Sequence, residues 1–338
     1  MLRLPWFEYR TPRTVAEAVQ ILAGEGPGAM LVAGGTDLLP NMKRKHQTPK
    51  VLVSLRGIAE LRTQANGSGI VLGSALSLKN VTENKSVKEK FTALYQAAAQ
   101  VATPQLRNMG TLGGNLCLDT RCTYYNQNYE WRKAIDFCLK KDGDICWVAT
   151  ASKRCVAVSS TDTAPALIAL NASVVLAGAA GEREIPVAAL YKNDGIDYLS
   201  RKPDEILTSV KIPGGWNSTY WKLRRRGSFD FPILGVAAAA RFSSDGVVEE
   251  LRMALGAAAS RPFLVEKIND KVKGKKLSDD VIAEISAMVA SRAKPMDNTD
   301  KDLYWRKEVA DDFAAYALRE LRGDDMREIR LRIARYAV

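Results

Sequence analysis

A single histidine, His46, is all that the 338 residues provide. A Ser–His–Asp relay or a multi-histidine metal site would have to be built around it, and no nucleophile motif lies nearby. Histidine is also the commonest general base. So small a supply points away from acid–base catalysis and toward chemistry carried by cofactors. Long apolar runs are missing too. The most apolar window, 164–180, is broken by Asn171 and Ser173 and falls short of a membrane span. The first twenty residues hold no signal-type apolar stretch, because Trp6, Phe7 and Tyr9 are followed at once by Arg10, Arg13 and Glu17. A cytoplasmic protein with no membrane partner is expected. No internal repeat, low-complexity tract, three-glycine Rossmann spacing or Walker Lys-Ser/Thr spacing occurs.

What is present suits a folded protein of two or three units. Hydrophobic residues make up 46% and charged ones 26%, which argues against disorder. The formal charge of +11 raises the question of nucleic acid. The basic residues are spread and mixed with acids, as in Arg319, Glu320, Arg322, Asp324 and Asp325, with no nucleic-acid module beside them. A basic face for acidic subunits or an acidic electron carrier is the better expectation.

The first segment alternates helix and strand. Thr14 and Glu17 form a capping-box pattern ahead of the stripe Val15, Ala18, Ile21 and Leu22. Strands are expected at 29–33, 51–55 and 70–72. Val87, Phe91, Leu94, Ala98 and Val101 predict one amphipathic helix, ended by Pro104 and followed by a loop holding Gly110, Gly113 and Gly114. Between 116 and 160 the periodicity decays, and a loop this long is read as functional. Order returns at 164–175, and Pro213-Gly214-Gly215 suggests a boundary. Strands at 233–242 and 247–257 flank the Asp245-Gly246 turn, and helices are expected at 278–292 and 301–322.

Two glycine bends stand out: Ala33-Gly34-Gly35-Thr36-Asp37 after a strand, and Thr111-Leu112-Gly113-Gly114-Asn115. Paired glycines let backbone approach a ligand closely. Successive N–H groups in such bends make concave anion sites that suit a pyrophosphate. The five cysteines all fall between Cys117 and Cys155. A disulfide framework is disfavoured in the cytosol, and no Cys-x2-Cys knuckle is present. Cys122, Cys138, Cys146 and Cys155 leave three readings open: an iron–sulfur centre, free structural thiols, or an unusual zinc site.

These motifs, taken in order, resemble the FAD-binding medium subunits of the xanthine dehydrogenase family of molybdenum hydroxylases. The carriers are Ala33 to Leu38, Arg107-Asn108 with Thr111 to Asn115, Ser160-Thr161-Asp162-Thr163-Ala164-Pro165, and Lys222, Arg226 and Asp230. Most members run almost directly from Gly-Gly-Asn to Ser-x-Asp. The interruption here, with Leu116-Cys117, Asp119-Thr120-Arg121-Cys122 and Tyr125-Asn126-Gln127, is similar to the branch formed by the 4-hydroxybenzoyl-CoA reductases, whose flavin domain carries an extra four-iron loop.

The resemblance implies an α+β fold: a two-lobed FAD-binding domain of the vanillyl-alcohol-oxidase and molybdenum-hydroxylase type, plus a C-terminal domain like that of the carbon monoxide dehydrogenase flavoprotein. The implied limits are 1–215, with lobes 1–57 and 58–215 and an iron–sulfur insertion at about 117–159, then 216–338. Non-covalent FAD would be held by Val32, Ala33, Gly34, Gly35, Thr36, Asp37 and Leu38 from the first bend. Val101, Thr111, Gly113, Gly114, Asn115 and Thr123 would serve from the second lobe. Asp162 would hold the adenosine side, and Leu207 and Lys222 would approach the isoalloxazine. Cys122, Cys138, Cys146 and Cys155 would bind one 4Fe–4S cluster, leaving Cys117 spare. No catalytic residue is implied in this chain. The implied partners are a large molybdopterin-binding subunit, a small subunit with two 2Fe–2S clusters, and ferredoxin as donor, in a dimer of heterotrimers. Against this stand a flavin subunit serving another aromatic or thioester substrate, and a zinc-stapled binding protein.

Overall fold

The computed structural model describes residues 2–299 and 303–335. It opens with β1 (Glu8–Arg10), α1 (Val15–Glu25), β2 (Ala29–Val32), α2 (Leu38–Lys43) and β3 (Val51–Ser54). The Thr14 hydroxyl accepts the Glu17 N–H at 3.1 Å, as the capping pattern requires. The return bond starts one residue early, from the Arg13 N–H to the Glu17 carboxylate at 2.7 Å. The three strands form a parallel sheet in the order β1-β3-β2. Its central strand is buried throughout, and α1 lays Ala18, Val19 and Leu22 into the same core.

The second lobe contains β4 (Gln64–Asn66), β5 (Gly69–Gly73), α3 (Leu78–Glu83), α4 (Lys85–Lys90), α5 (Thr92–Ala99), α6 (Pro104–Met109) and α7 (Leu112–Leu116). It continues through α8 (Tyr129–Ala134), α9 (Thr163–Ala169), β6 (Ser173–Gly178), β7 (Gly181–Pro186) and β8 (Ile206–Pro213). Its antiparallel sheet runs β4-β5-β8-β6-β7. The single helix expected from Val87 to Val101 is in fact two. Phe91 leaves helical geometry (φ −129°, ψ 54°), and the Ala93 N–H donates to the Ser218 hydroxyl from a distant strand at 3.1 Å. All of Val87, Phe91, Leu94 and Ala98 still reach one core, which is why the period looked unbroken. Pro104 starts α6 rather than closing a helix, since proline fits a first helical position where no N–H is needed. The expected glycine loop is likewise mostly helical, because Thr103 and Thr111 cap α6 and α7.

The C-terminal part comprises β9 (Asn217–Leu223), β10 (Leu234–Phe242), β11 (Val248–Gly256), β12 (Phe263–Leu264), α10 (Ile268–Val272), α11 (Asp279–Arg292), α12 (Leu303–Arg322) and α13 (Arg327–Arg335). Lys301, the expected start of the long helix, lies outside the described residues. The antiparallel sheet runs β12-β11-β10-β9. Along β10, Ala237 and Ala239 face the second lobe's core, while Val236, Ala238 and Ala240 face α11 and α12. A strand covered on both faces reads as an unbroken apolar run, as this one does. Among the described residues no helix is long and apolar enough to cross a membrane.

Candidate functional site

The first bend joins β2 to α2. Gly35 sits at φ +70°, a conformation glycine adopts without steric cost. Among the described residues nothing accepts the backbone N–H groups of Gly34, Gly35, Thr36 or Asp37, and the exposed Thr36 hydroxyl lies beside them. The bend therefore offers unspent donors. Val32 and Leu38 flank it and pack with Met42 and Leu52, while Ala33 packs toward the α1 core.

The second bend is built differently. Its N–H groups are consumed by the protein: Leu112 donates to the Leu76 carbonyl (3.0 Å), Gly113 to the Ser74 carbonyl (2.8 Å), and Gly114 to the Thr111 hydroxyl (3.0 Å). Two of the glycines expected to admit a ligand serve close packing instead. A Cβ on Gly34 would fall 2.0 Å from the Met109 carbonyl oxygen, and one on Gly113 would lie 2.7 Å from Ser74 Cβ. These two glycines let the backbone of one segment press on another. Gly114 is exposed, and a Cβ there would meet only the Thr111 hydroxyl at 2.9 Å. Gly114 is thus the position of this bend that faces open space.

Behind the second bend, the Asn115 side-chain oxygen accepts from Thr161 Oγ1 (2.8 Å), Thr163 N (3.1 Å) and Thr163 Oγ1 (2.7 Å). Asn115 therefore ties α7 to the start of α9. Asp162 and Lys222, which the sequence places sixty residues apart, form a buried ion pair at 2.9 Å. Lys222 spends its other donors on the carbonyls of Gln100 (3.0 Å) and Asp230 (2.9 Å). Tyr220 donates its hydroxyl to Asp162 at 2.8 Å. Burial pushes the Asp162 carboxyl up and the Lys222 ammonium down. Val101 follows Gln100, and its carbonyl accepts from Arg107 at 2.8 Å. Leu207 is a buried member of the main core. Thr123 is exposed and bonds the Asn298 carbonyl through its N–H at 3.0 Å.

Cys122, Cys138, Cys146 and Cys155 are all buried. Three of them, Cys122, Cys138 and Cys155, share a small core with Tyr125 and Ala157. One N–H group is aimed at sulfur, from Ala157 to Cys155 at 3.4 Å, while the Tyr125 N–H donates to the Cys122 carbonyl at 3.1 Å. Burial pushes the Cys122 thiol up to about 12 and the Cys155 thiol up to about 11, so a bound metal would have to displace their protons. Among the described residues no group of three or more His, Cys, Asp or Glu side chains is gathered as a site for a metal ion. Cys117 is only partly buried and packs on the main core instead. His46 stacks on Tyr125 at 4.2 Å, and burial holds its pKa down at about 4. A neutral, enclosed ring of this kind is a packing group.

Sequence reasoning named Asp37 and the run Asp119-Thr120-Arg121 but missed the bonds by which they join this nest to the first bend. Asp37 is ion-paired with Arg121 and accepts the Asp119 N–H at 3.3 Å. Asp119 in turn holds Lys140 at 2.7 Å and the Tyr125 hydroxyl at 2.9 Å. The one signal in the sequence was the run Asp119-Thr120-Arg121 directly ahead of Cys122.

Residues 5–215 match the FAD binding domain in molybdopterin dehydrogenase, and residues 218–321 match the CO dehydrogenase flavoprotein C-terminal domain. The chain belongs to this FAD-binding family. The flavoprotein is 29% identical to the FAD-binding subunit of an aldehyde oxidoreductase from Escherichia coli, over 90% of this chain and 96% of that one. It is 25% identical to the glyceraldehyde dehydrogenase medium chain of Sulfolobus acidocaldarius, over 94% and 99% of the two chains. A chain of the carbon monoxide dehydrogenase of Hydrogenophaga pseudoflava superposes on it with a TM-score of 0.77 at 25% identity, covering 94% and 97%. The fold is accordingly the expected α+β combination of a flavin-binding domain and a carbon monoxide dehydrogenase-type C-terminal domain. The flavoprotein binds FAD and is a subunit of an oxidoreductase, as its relatives are. The unspent donors of the first bend fit an anionic group such as a pyrophosphate.

Proposed function

We propose that this flavoprotein is the FAD- and 4Fe–4S-binding electron-transfer subunit of a 4-hydroxybenzoyl-CoA reductase. The observation that carries the reading is that four buried cysteines fall within one inserted segment, three of them in one small core, and that this segment is tied by the Arg121–Asp37 pair to the bend whose N–H groups are free. Four iron atoms stand between the thiolates of such a cluster, so its ligands lie farther apart than those of one ion. A nest that is no single-ion site still suits it. The Ala157 N–H directed at the Cys155 sulfur fits the same centre, because it would stabilise thiolate charge.

In this reading Gly34 to Leu38 hold the pyrophosphate, with Val32 and Ala33 leading the chain in. Gly114 lets the flavin pass, and Thr111, Gly113 and Asn115 keep that bend in place. Lys222, Asp162 and Tyr220 fix the 100–102 turn beside Val101. Thr123 anchors the start of the nest, and Leu207 backs the flavin from the core. The flavin unit spans 1–215 in lobes 1–57 and 58–215, with the insertion at about 117–159, and 216–338 forms the second unit.

When bound, FAD and the cluster supply redox chemistry; the chain's own residues place them and exclude water. The partners are a large molybdopterin-binding subunit, where the phenolic hydroxyl of the substrate is removed, a small subunit with two 2Fe–2S clusters, and reduced ferredoxin. The assembly is a cytoplasmic dimer of heterotrimers. In anaerobically purified enzyme, Cys138→Ser should lose about four irons per chain and still bind FAD when FAD is saturating; unchanged iron refutes the ligand set. Turnover of 4-hydroxybenzoyl-CoA with a low-potential donor tests the substrate. Intact cofactors without turnover would move the subunit to an enzyme acting on another aromatic or thioester compound.

A further inference from the structure

Arg121 occupies an unusual place among the buried charges. Its backbone pairs with Val158 in both directions (N–H to carbonyl 2.8 Å, and 2.7 Å in return). That bridge closes the neck of the segment holding the cysteines, one residue before Cys122 and three after Cys155. Its side chain points the other way. One guanidinium nitrogen pairs with Asp37 in the first bend, and another donates to the Asn41 side-chain oxygen on α2 at 2.9 Å. The guanidinium plane lies over Phe231, 5.0 Å from the ring centre. With Arg121 and Asp37 both largely buried, the pair is poorly screened. Its geometry cannot relax independently at either end.

We infer that Arg121 is a positioning residue that couples the two cofactor sites, so that an assembled cysteine nest strengthens FAD binding and bound FAD stabilises the nest. The inference rests on the proposed function above and adds to it a linkage between the two sites. The argument is mechanical. The free N–H groups of the first bend bind a pyrophosphate only if Gly34 to Asp37 keep their conformation. Asp37 is held by Arg121 and by the Asp119 N–H, and both groups belong to the neck of the nest. A cluster held by Cys122 and Cys155, on the two sides of the Arg121–Val158 bridge, would cross-link that neck and so hold Arg121 and Asp119, and through them the bend. The Arg121 cation also offsets the Asp37 carboxylate, which would otherwise repel the pyrophosphate. Coupling of this kind is reciprocal at equilibrium.

The experiment uses the full assembled enzyme, flavin-stripped, in two forms: iron-loaded and iron-depleted by anaerobic chelation. FAD affinity is read from quenching of flavin fluorescence. We expect the iron-depleted form to bind FAD about tenfold more weakly, within the range of typical site-to-site coupling. Arg121→Met and the near-isosteric Asp37→Asn should each bind FAD with one affinity whether or not iron is present. Reciprocally, saturating FAD should lower the equilibrium loss of iron to a chelator in the unaltered protein, a measurement that needs no variant to fold. Equal FAD affinity with and without iron overturns the coupling. Iron-dependent affinity that survives in both variants overturns the assignment to Arg121. Absence of iron or of FAD from the unaltered enzyme would instead sink the underlying functional reading, so the two failures are distinct.

Discussion

Gly34 opens the glycine pair of the first bend and Gly114 closes that of the second, and their surroundings differ. Gly34 is pressed against the Met109 carbonyl, so any side chain there forces backbone apart, whereas Gly114 opens to solvent on every side except its own cap. We therefore expect Gly34→Val to cost about 3 kcal/mol or more in denaturant unfolding, the upper range of overpacking. Gly114→Val should cost about 1 kcal/mol, the scale of a disturbed helix cap, while abolishing FAD binding. Full flavin occupancy in a folded Gly114→Val protein would remove the second bend from the site. Glycines in similar motifs can thus hold the fold or face open space, and only their neighbours tell which.

Between elements, the pair Asp162–Lys222 joins the residue ahead of α9 to β9, and through the Gln100 carbonyl it reaches the turn after α5. Taking two charges out of water is costly unless each is fully bonded, and here Lys222 has three partners and Asp162 two. Lys222→Met should destabilise the protein by about 3–5 kcal/mol, because it strands a buried carboxylate. The double change Lys222→Met with Asp162→Asn should recover part of that loss, since the stranded charge is gone. Denaturant melts of the single and double variants provide the check; additive losses would mean that the two side chains act separately.

Across the whole molecule, stability should depend on pH through His46. Its folded pKa of about 4 lies below the ordinary 6.5, because burial disfavours the charged ring. Between those values the unfolded chain binds the proton more readily than the folded one. Stability is therefore fully present above about pH 6.5 and falls as pH drops toward 4, by an amount on the order of 3 kcal/mol. His46→Gln should flatten that part of the pH–stability profile, and an unchanged slope would exclude the histidine as its source.

The chain by itself determined the capped helix α1, the β10–β11 hairpin at Asp245-Gly246, the places of both glycine pairs and the crowding of cysteines between 117 and 155. Each depends on interactions among neighbours in sequence: caps, turn geometry and the period of apolar side chains. Only tertiary structure decided that the apolar stripe from Val87 to Val101 breaks at Phe91, because the group that accepts the Ala93 N–H sits on a strand 125 residues away. It also decided which bend keeps its N–H groups free, that Lys222 faces Asp162, and that Arg121 clasps Asp37 across more than eighty residues. Contacts of that length follow from how three sheets stack, and no local preference along the chain encodes them.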